Sequence, residues 1–262
     1  QDYEVGFLAA DTEDEEKDGL WFASEWTAST LTLAPGQGFW LINRHAQRPF
    51  YLMGKVIVEA TRTLTLGGDG YSMVGNPYSA ALALNASTLA ASGAEGATAV
   101  TSADTVTVPG DTDAQWLLDL ENDPLDGQWL DDESALSTLS LQMGAAYWYL
   151  RRPVGALAWE EVRPYDDLLE LTADSPRVTA MSVNPTTAEI TLTITPVDAV
   201  GETHEIFYQD STRTTGYDAA GPWLLAAENL SPTGATPYAW VDDGAGGRGT
   251  VDTVGVRFYV VS

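Results

Sequence analysis

The chain has 262 residues, 44% of them hydrophobic, enough to bury one large β core or two ordinary ones. It contains no cysteine, which excludes disulfides, thiolate metal sites and cysteine nucleophiles. Twelve basic against 38 acidic residues leave a net charge of −26, and such a surface repels nucleic acid and anionic lipid.

Lys17 and Lys55 are the only lysines, and the other ten cations are arginines. Depleted lysine with dispersed Asp and Glu suits salt adaptation, because at about 1 M salt the screening length falls to roughly 3 Å. The alternative is an acidic exported protein kept soluble by its charge. No apolar run approaches the roughly 18 residues of a membrane helix, so insertion into a bilayer is not expected. The polar start at Gln1 is what a mature secreted chain shows after leader cleavage.

Taken in chain order, Tyr3–Leu8 is a short β candidate able to reach an adjacent subunit. Short alternating runs follow at Thr30–Leu33, Phe50–Glu59, Thr61–Leu66 and Thr105–Val108, bounded by Gly, Pro, Asp and Asn. One stretch reads differently. Ala80–Ala91 is rich in Ala and Leu, follows Asn76-Pro77-Tyr78 and ends near Gly93, so it predicts a helix.

A shift of 108 residues lays Asp18–Arg44 on Asp126–Arg152 without a gap, with 11 of 27 positions identical. The matches include Trp21 with Trp129, Gly36 with Gly144, and Trp40 with Trp148. Residues 1–172 are therefore expected to form one β domain with an internally duplicated motif. Trp40 and Trp148 are expected to be equivalent core residues. On a strand neighbours face opposite ways, so Tyr147 and Tyr149 share one face and Trp148 takes the other, as Phe39 opposes Trp40. An aromatic face turned outward stacks on sugar rings or forms a protein interface, which makes Phe39, Tyr147 and Tyr149 candidates for a glycan or interface surface.

The polar, proline-ended segment Tyr165–Pro176 suits a linker. Beyond it come runs at Arg177–Val183, Ala188–Thr195, Thr203–Gln209, Trp223–Ala227, Tyr238–Val241 and Val254–Val261. Ile190, Leu192 and Ile194 line one face against three threonines. Val254, Val256, Phe258 and Val260 oppose Arg257 and Tyr259. Such strands within residues 173–262 describe an immunoglobulin-like or fibronectin-III-like β-sandwich, so the whole chain is expected to be all-β.

Chemistry-bearing patterns are few. His45 sits in a polar turn and His204 on a strand face, and no Gly-x-Ser-x-Gly turn is present. Glu160-Glu161 or Asp166-Asp167 could form a glycosidase pair only across a cleft. No enzyme is expected, and no cofactor other than calcium. Asp111 and Asp113, and Asp242 and Asp243, put oxygen ligands on turns that suit that ion, although none fits the twelve-residue EF-hand loop.

The motifs Pro35-Gly-Gln-Gly-Phe-Trp-Leu41 and Gly70-Tyr-Ser-Met-Val-Gly-Asn-Pro-Tyr78 resemble surface proteins of verrucomicrobial-type bacteria. His204-Glu-Ile-Phe-Tyr208, Trp223-Leu-Leu-Ala-Ala, Trp240-Val-Asp-Asp-Gly244 and Arg257-Phe-Tyr-Val260 resemble the C-terminal sandwich modules of secreted proteins in the same bacteria. One departure is Val260, where those modules carry arginine. The resemblance touches about half of the chain and implies an extracellular or cell-surface location. The function expected from these readings is a non-enzymatic structural or surface protein. It would be a self-assembling subunit of a fibre, sheath or layer, or an adhesin, forming a homo-oligomer or polymer. The alternative is a carbohydrate-binding protein that holds a polysaccharide on exposed aromatic strands.

Overall fold

The computed structural model describes residues 7–8, 20–23, 27–42, 54–108, 113–118, 124–165, 176–184, 186–196, 203–211, 221, 223–230, 237–245 and 256–261. The chain is all-β, with one 3-10 turn at Leu84–Ala86 as the only helical element among these residues. It divides into two compact units, Gln1–Pro35 and Gly36–Ser262.

In the first unit β1 (Phe7–Leu8) pairs antiparallel with β2 (Trp21–Phe22). Phe7 and Leu8 thus form a strand, as expected of Tyr3–Leu8, and pair with Phe22 and Trp21 of their own chain. Thr30–Leu33 forms no strand.

The second unit opens with β3 (Thr61–Leu66), β4 (Gly70–Gly75), β5 (Leu82–Ala83), β6 (Thr105–Thr107) and β7 (Asp113–Leu117). There follow β8 (Gln128–Leu130), β9 (Ser140–Leu141), β10 (Ala146–Arg151) and β11 (Leu157–Val162). A five-stranded sheet runs in the order β4-β10-β6-β7-β8, and β11-β3 and β5-β9 form two-stranded sheets. The alternation in Leu157-Ala-Trp-Glu-Glu-Val162 turns Leu157, Trp159 and Glu161 inward and the residues between them outward. Val74, Val106, Ala114, Trp129, Tyr147 and Tyr149 come from the five-stranded sheet. They share one core with Leu66, Leu157 and Trp159 from β3 and β11 and with Leu82 and Leu141 from β5 and β9.

The helix expected over Ala80–Ala91 does not form. Short turns close within it, Ser87 N on Leu84 O and Ser92 N on Thr88 O, but tertiary partners keep them from joining into a helix. Leu82 and Ala83 pair with Leu141 and Ser140. Asn85 accepts from Trp129 N at 2.7 Å and donates to Trp129 O and Ser137 O, while Thr88 N donates to the buried Glu161 carboxylate at 3.0 Å. Helix propensity is a weak prior that such contacts override.

The two 108-shifted segments carry the same local hydrogen bonds. Ala23 N donates to Thr27 O at 2.8 Å and Asp131 N to Ala135 O at 2.9 Å; Ser29 N reaches Trp21 O and Ser137 N reaches Trp129 O. Leu31 N and Leu139 N each donate to a serine hydroxyl, Ser29 and Ser137, at 3.2 Å. Gly36 and Gly144 both hold positive φ, +83° and +67°, a region that L side chains rarely enter.

Further along are β12 (Arg177–Val183), β13 (Ile190–Thr195), β14 (His204–Ser211), β15 (Leu224–Leu230), β16 (Tyr238–Asp242) and β17 (Val256–Val261). They form two three-stranded sheets, β12-β13-β16 and β15-β14-β17. Ile190, Leu192 and Ile194 of one sheet and Ile206 of the other lie in a single core, so the arrangement is β-sandwich-like. On β17 it is Tyr259 that packs against this core. The charge beside it is matched: Arg257 Nη1 donates to Asp242 Oδ2 at 2.7 Å, and Nη2 to Asp210 Oδ2 at 2.9 Å. Arg257 and Asp242 are both almost wholly buried, and Asp242 lies on β16 of the opposite sheet, so the pair ties the two layers together. The interior of the segment Tyr165–Pro176 lies outside the described residues.

Candidate functional site

β10 is the second strand of the five-stranded sheet, and its alternation decides which aromatics meet solvent. Tyr147 and Tyr149 point inward and are 3% and 0% exposed. Tyr147 Oη donates to Ser140 O and accepts from Gln142 N, while Tyr149 Oη donates to Asp104. These two side chains are core, which corrects their reading as a glycan or interface surface: stacking needs a free ring face, and theirs are packed.

The outer face is carried by the residues between them. Trp148 stands directly across from Met73 on β4, and Leu150 across from Tyr71. Residues opposite each other in a ladder share a face. Trp148 is half-buried, Tyr71 is exposed, and Trp40 leaves 60% of its surface free. Trp40 and Trp148 are therefore not the equivalent core pair expected from the repeat. They meet each other instead, with ring centroids 6.2 Å apart and planes inclined by 45°. Tyr71 stands edge-on to Trp148 at 6.1 Å and 79°. Phe39 is half-buried behind Trp40 and lines the same hollow as Met73, Ala146, Tyr147 and Trp148, a space of about 180 Å³.

The backbone holds Trp40 in place. Gly75 N donates to Gly36 O at 2.8 Å, and Gln37 bridges to Val74, so the chain entering Trp40 runs along the edge of β4. A Cβ at position 38 would fall 2.2 Å from Met73 Cγ, so glycine is what lets this segment lie against the sheet. The sequence reading missed Tyr71 and Met73. Their signal is the alternation in Gly70-Tyr-Ser-Met-Val74, which puts Tyr71 and Met73 on one face and Val74 on the other.

A larger hollow, about 360 Å³, is lined by Asn85, Ser87, Ala90, Ala91, Trp116, Gly127, Gln128 and Trp129. The Trp129 indole N–H has no hydrogen-bond partner but is sealed from solvent, and Trp129 is only 1% exposed. Its ring packs on Trp116 at 5.6 Å as part of the core.

The candidate acidic sites are scattered. Asp111 and His45 lie outside the described residues, as do Asp166 and Asp167. Asp113 starts β7, opposite Thr107. Asp242 accepts from Arg257 and from Tyr259, whose hydroxyl donates to it at 2.6 Å. Asp243 Oδ1 accepts from Ala245 N within the same turn. Among the described residues no three His, Asp or Glu side chains gather. Glu160 and Glu161 are neighbours on β11, so they face opposite sides and flank no common cleft. Glu161 is buried and accepts from Trp159 Nε1 at 2.9 Å and from Thr88. Asp104 accepts from Arg151, Arg152 N and Glu95 N. His204 is buried with Nδ1 2.8 Å from Tyr238 Oη, and its Nε2 has no partner. These buried polar groups lock strands together.

Burial raises the phenol of Tyr149 far above its ordinary value, and the hydrogen bond to Asp104 adds to the effect. Tyr259 is raised in the same way, by burial and then by Asp242.

No known protein family, curated protein or solved structure matches the chain.

Proposed function

We propose that this chain is a non-enzymatic surface or extracellular protein, adhesin-like, that holds carbohydrate on the aromatic cluster of Trp40, Tyr71 and Trp148. The observation that carries the reading is the exposed Trp40 ring set beside Trp148 on the outer face of a rigid sheet. Indole and phenol rings left in solvent on a fixed scaffold stack on the C–H faces of sugars. The likeness to verrucomicrobial-type surface proteins supports the location. The matched hydrogen bonds 108 residues apart support a duplicated motif as the origin of the paired tryptophans. The strand partition of residues 177–261 supports a fibronectin-III-like module. Its first, second and fifth strands share one sheet, as A, B and E do in immunoglobulin-type sandwiches.

Glycan-array binding of the intact chain, beside Trp40→Ala, tests the reading. Wild-type signal that the variant loses supports it; an array with no signal for either refutes it.

A second reading, self-assembly into a fibre or layer, is favoured by Leu224 and Leu225. They lie side by side, both about half exposed, on β15 at the end of the order β15-β14-β17. Terminal strands with apolar side chains recruit further strands. Light scattering at rising salt tests it, since screening of the −26 charge would strengthen any association. Scattering that stays monomeric throughout removes it.

A further inference from the structure

We infer that the Trp40–Trp148 hollow takes one ring of a neutral sugar, a chain end or a lone hexopyranose, and not the flat face of an extended or crystalline polysaccharide. This inference rests on the carbohydrate reading above and narrows its ligand.

Three observations carry it. The first is the angle between rings. An extended chain presents successive sugar rings along one plane, and the aromatics that receive it must share that plane. Here Trp40 is inclined by 45° to Trp148, and Tyr71 by 79°. A flat chain face could lie on one of these rings but not on two. Tilted rings make a cup, which touches a single sugar unit from more than one side.

The second is size. The hollow of about 180 Å³ is smaller than the roughly 300–1,000 Å³ of pockets for drug-sized ligands. It admits one ring. Its walls are fixed before binding, because Trp148 stands on a paired strand and Trp40 is carried by the Gly36 and Gln37 links to β4. A preformed cup loses little conformational freedom when filled.

The third is charge. None of the lining side chains, Phe39, Trp40, Met73, Ala146, Tyr147 and Trp148, is ionised at neutral pH. Among the described residues of the wall no cation stands ready to hold a uronate or sulfate, and the net charge of −26 repels both. Tyr147 turns its ring and hydroxyl into the core, where Oη meets Ser140 O and Gln142 N, so the wall offers the rings of Trp40 and Trp148 in preference to hydroxyl partners. The best-fitting sugar holds its hydroxyls equatorial, so that axial C–H bonds cover both ring faces, as gluco-configured rings do.

The test uses the intact chain and three probe sets. These are soluble neutral oligosaccharides (cellobiose, laminaritriose, chitobiose), a soluble oligogalacturonate, and microcrystalline cellulose and chitin. Saturation-transfer NMR and tryptophan fluorescence read the soluble probes, and sedimentation reads the insoluble ones. The expected result is binding of a soluble neutral probe, with contact confined to its terminal ring. Trp40→Ala should weaken it at least tenfold while far-UV circular dichroism is unchanged. Retention on crystalline cellulose or chitin without binding of any soluble probe overturns the single-ring inference but leaves the carbohydrate reading standing. Oligogalacturonate bound as tightly as the neutral probes overturns the neutral assignment. Binding of none of the probes overturns this inference, and with a silent glycan array it removes the carbohydrate reading as well.

Discussion

Trp40 keeps 60% of its surface in solvent, whereas Trp159 is fully enclosed between sheets. Truncating the two should therefore have opposite consequences. Trp159→Ala empties a packed site and removes the indole that donates to Glu161, so it should destabilise the fold by about 3–5 kcal/mol. Trp40→Ala should cost less than about 1 kcal/mol and show itself in glycan binding alone. Urea melts of the two variants check this, and a large loss in the Trp40 variant would place that residue in the core. Tyrosine chemistry gives the second expectation at this scale. Tyr149 and Tyr259 have phenols raised well above the unfolded value near 10 by burial and by Asp104 and Asp242. The folded state then holds its proton more tightly than the unfolded chain does. The contribution is fully present below about pH 10 and is lost as pH climbs beyond it, by up to about 1.4 kcal/mol per pH unit for each tyrosine. Denaturation midpoints between about pH 9 and 12 should fall steeply for the wild type and less steeply for Tyr149→Phe. Equal slopes would refute the assignment to Tyr149.

At the scale of elements, the turns between β3 and β4 and between β10 and β11 lie back to back. Asp69 N donates to Pro153 O at 2.8 Å, and a Cβ on Gly68 would sit 2.3 Å from the backbone of Gly155. Backbone cannot swing aside as a side chain can. Gly68→Ala should therefore cost about 1–3 kcal/mol by overpacking, while Gly54→Ala, with nothing within 4 Å, should be close to neutral. Melting temperatures of the pair decide it, and equal values would mean that the turns are not in contact. The strands themselves were largely legible in the sequence. Thr61–Leu66 and Arg177–Val183 have the predicted bounds, and Ile190–Thr195 falls within its predicted run. Each alternates clearly, with β-branched residues and a polar or glycine boundary. Ala80–Ala91 was misread because its Ala and Leu content favours a helix only until Asn85 and Thr88 find distant partners.

For the whole molecule, charge is the dominant fact. With 38 acidic and 12 basic residues, self-repulsion opposes the compact state, and salt relieves it. The melting temperature should rise substantially between about 0.05 and 2 M NaCl, beyond the gain of a protein near neutrality, and a flat profile would remove the salt-adapted reading. Part of the acidity is not on the surface, however. Asp104, Glu161 and Asp242 are buried and hydrogen-bonded. Their contribution should persist at high salt, because buried pairs are screened far less than exposed ones.

Alternation and turn residues are local properties, and from them the sequence alone determined the all-β class and most strand positions. It could not determine which face of β10 is covered, because Tyr147, Trp148 and Tyr149 are all aromatic and their alternation has no polar side to mark solvent. That was decided by packing. Trp159 and Leu157 of β11 close over the side of Tyr147 and Tyr149, which leaves Trp148 outward, with Tyr71 and Trp40 beside it. The same holds for the acids. In a chain with 38 of them the pattern does not distinguish a solvated carboxylate from Asp242, whose partner Arg257 arrives from the other sheet only when the two layers close.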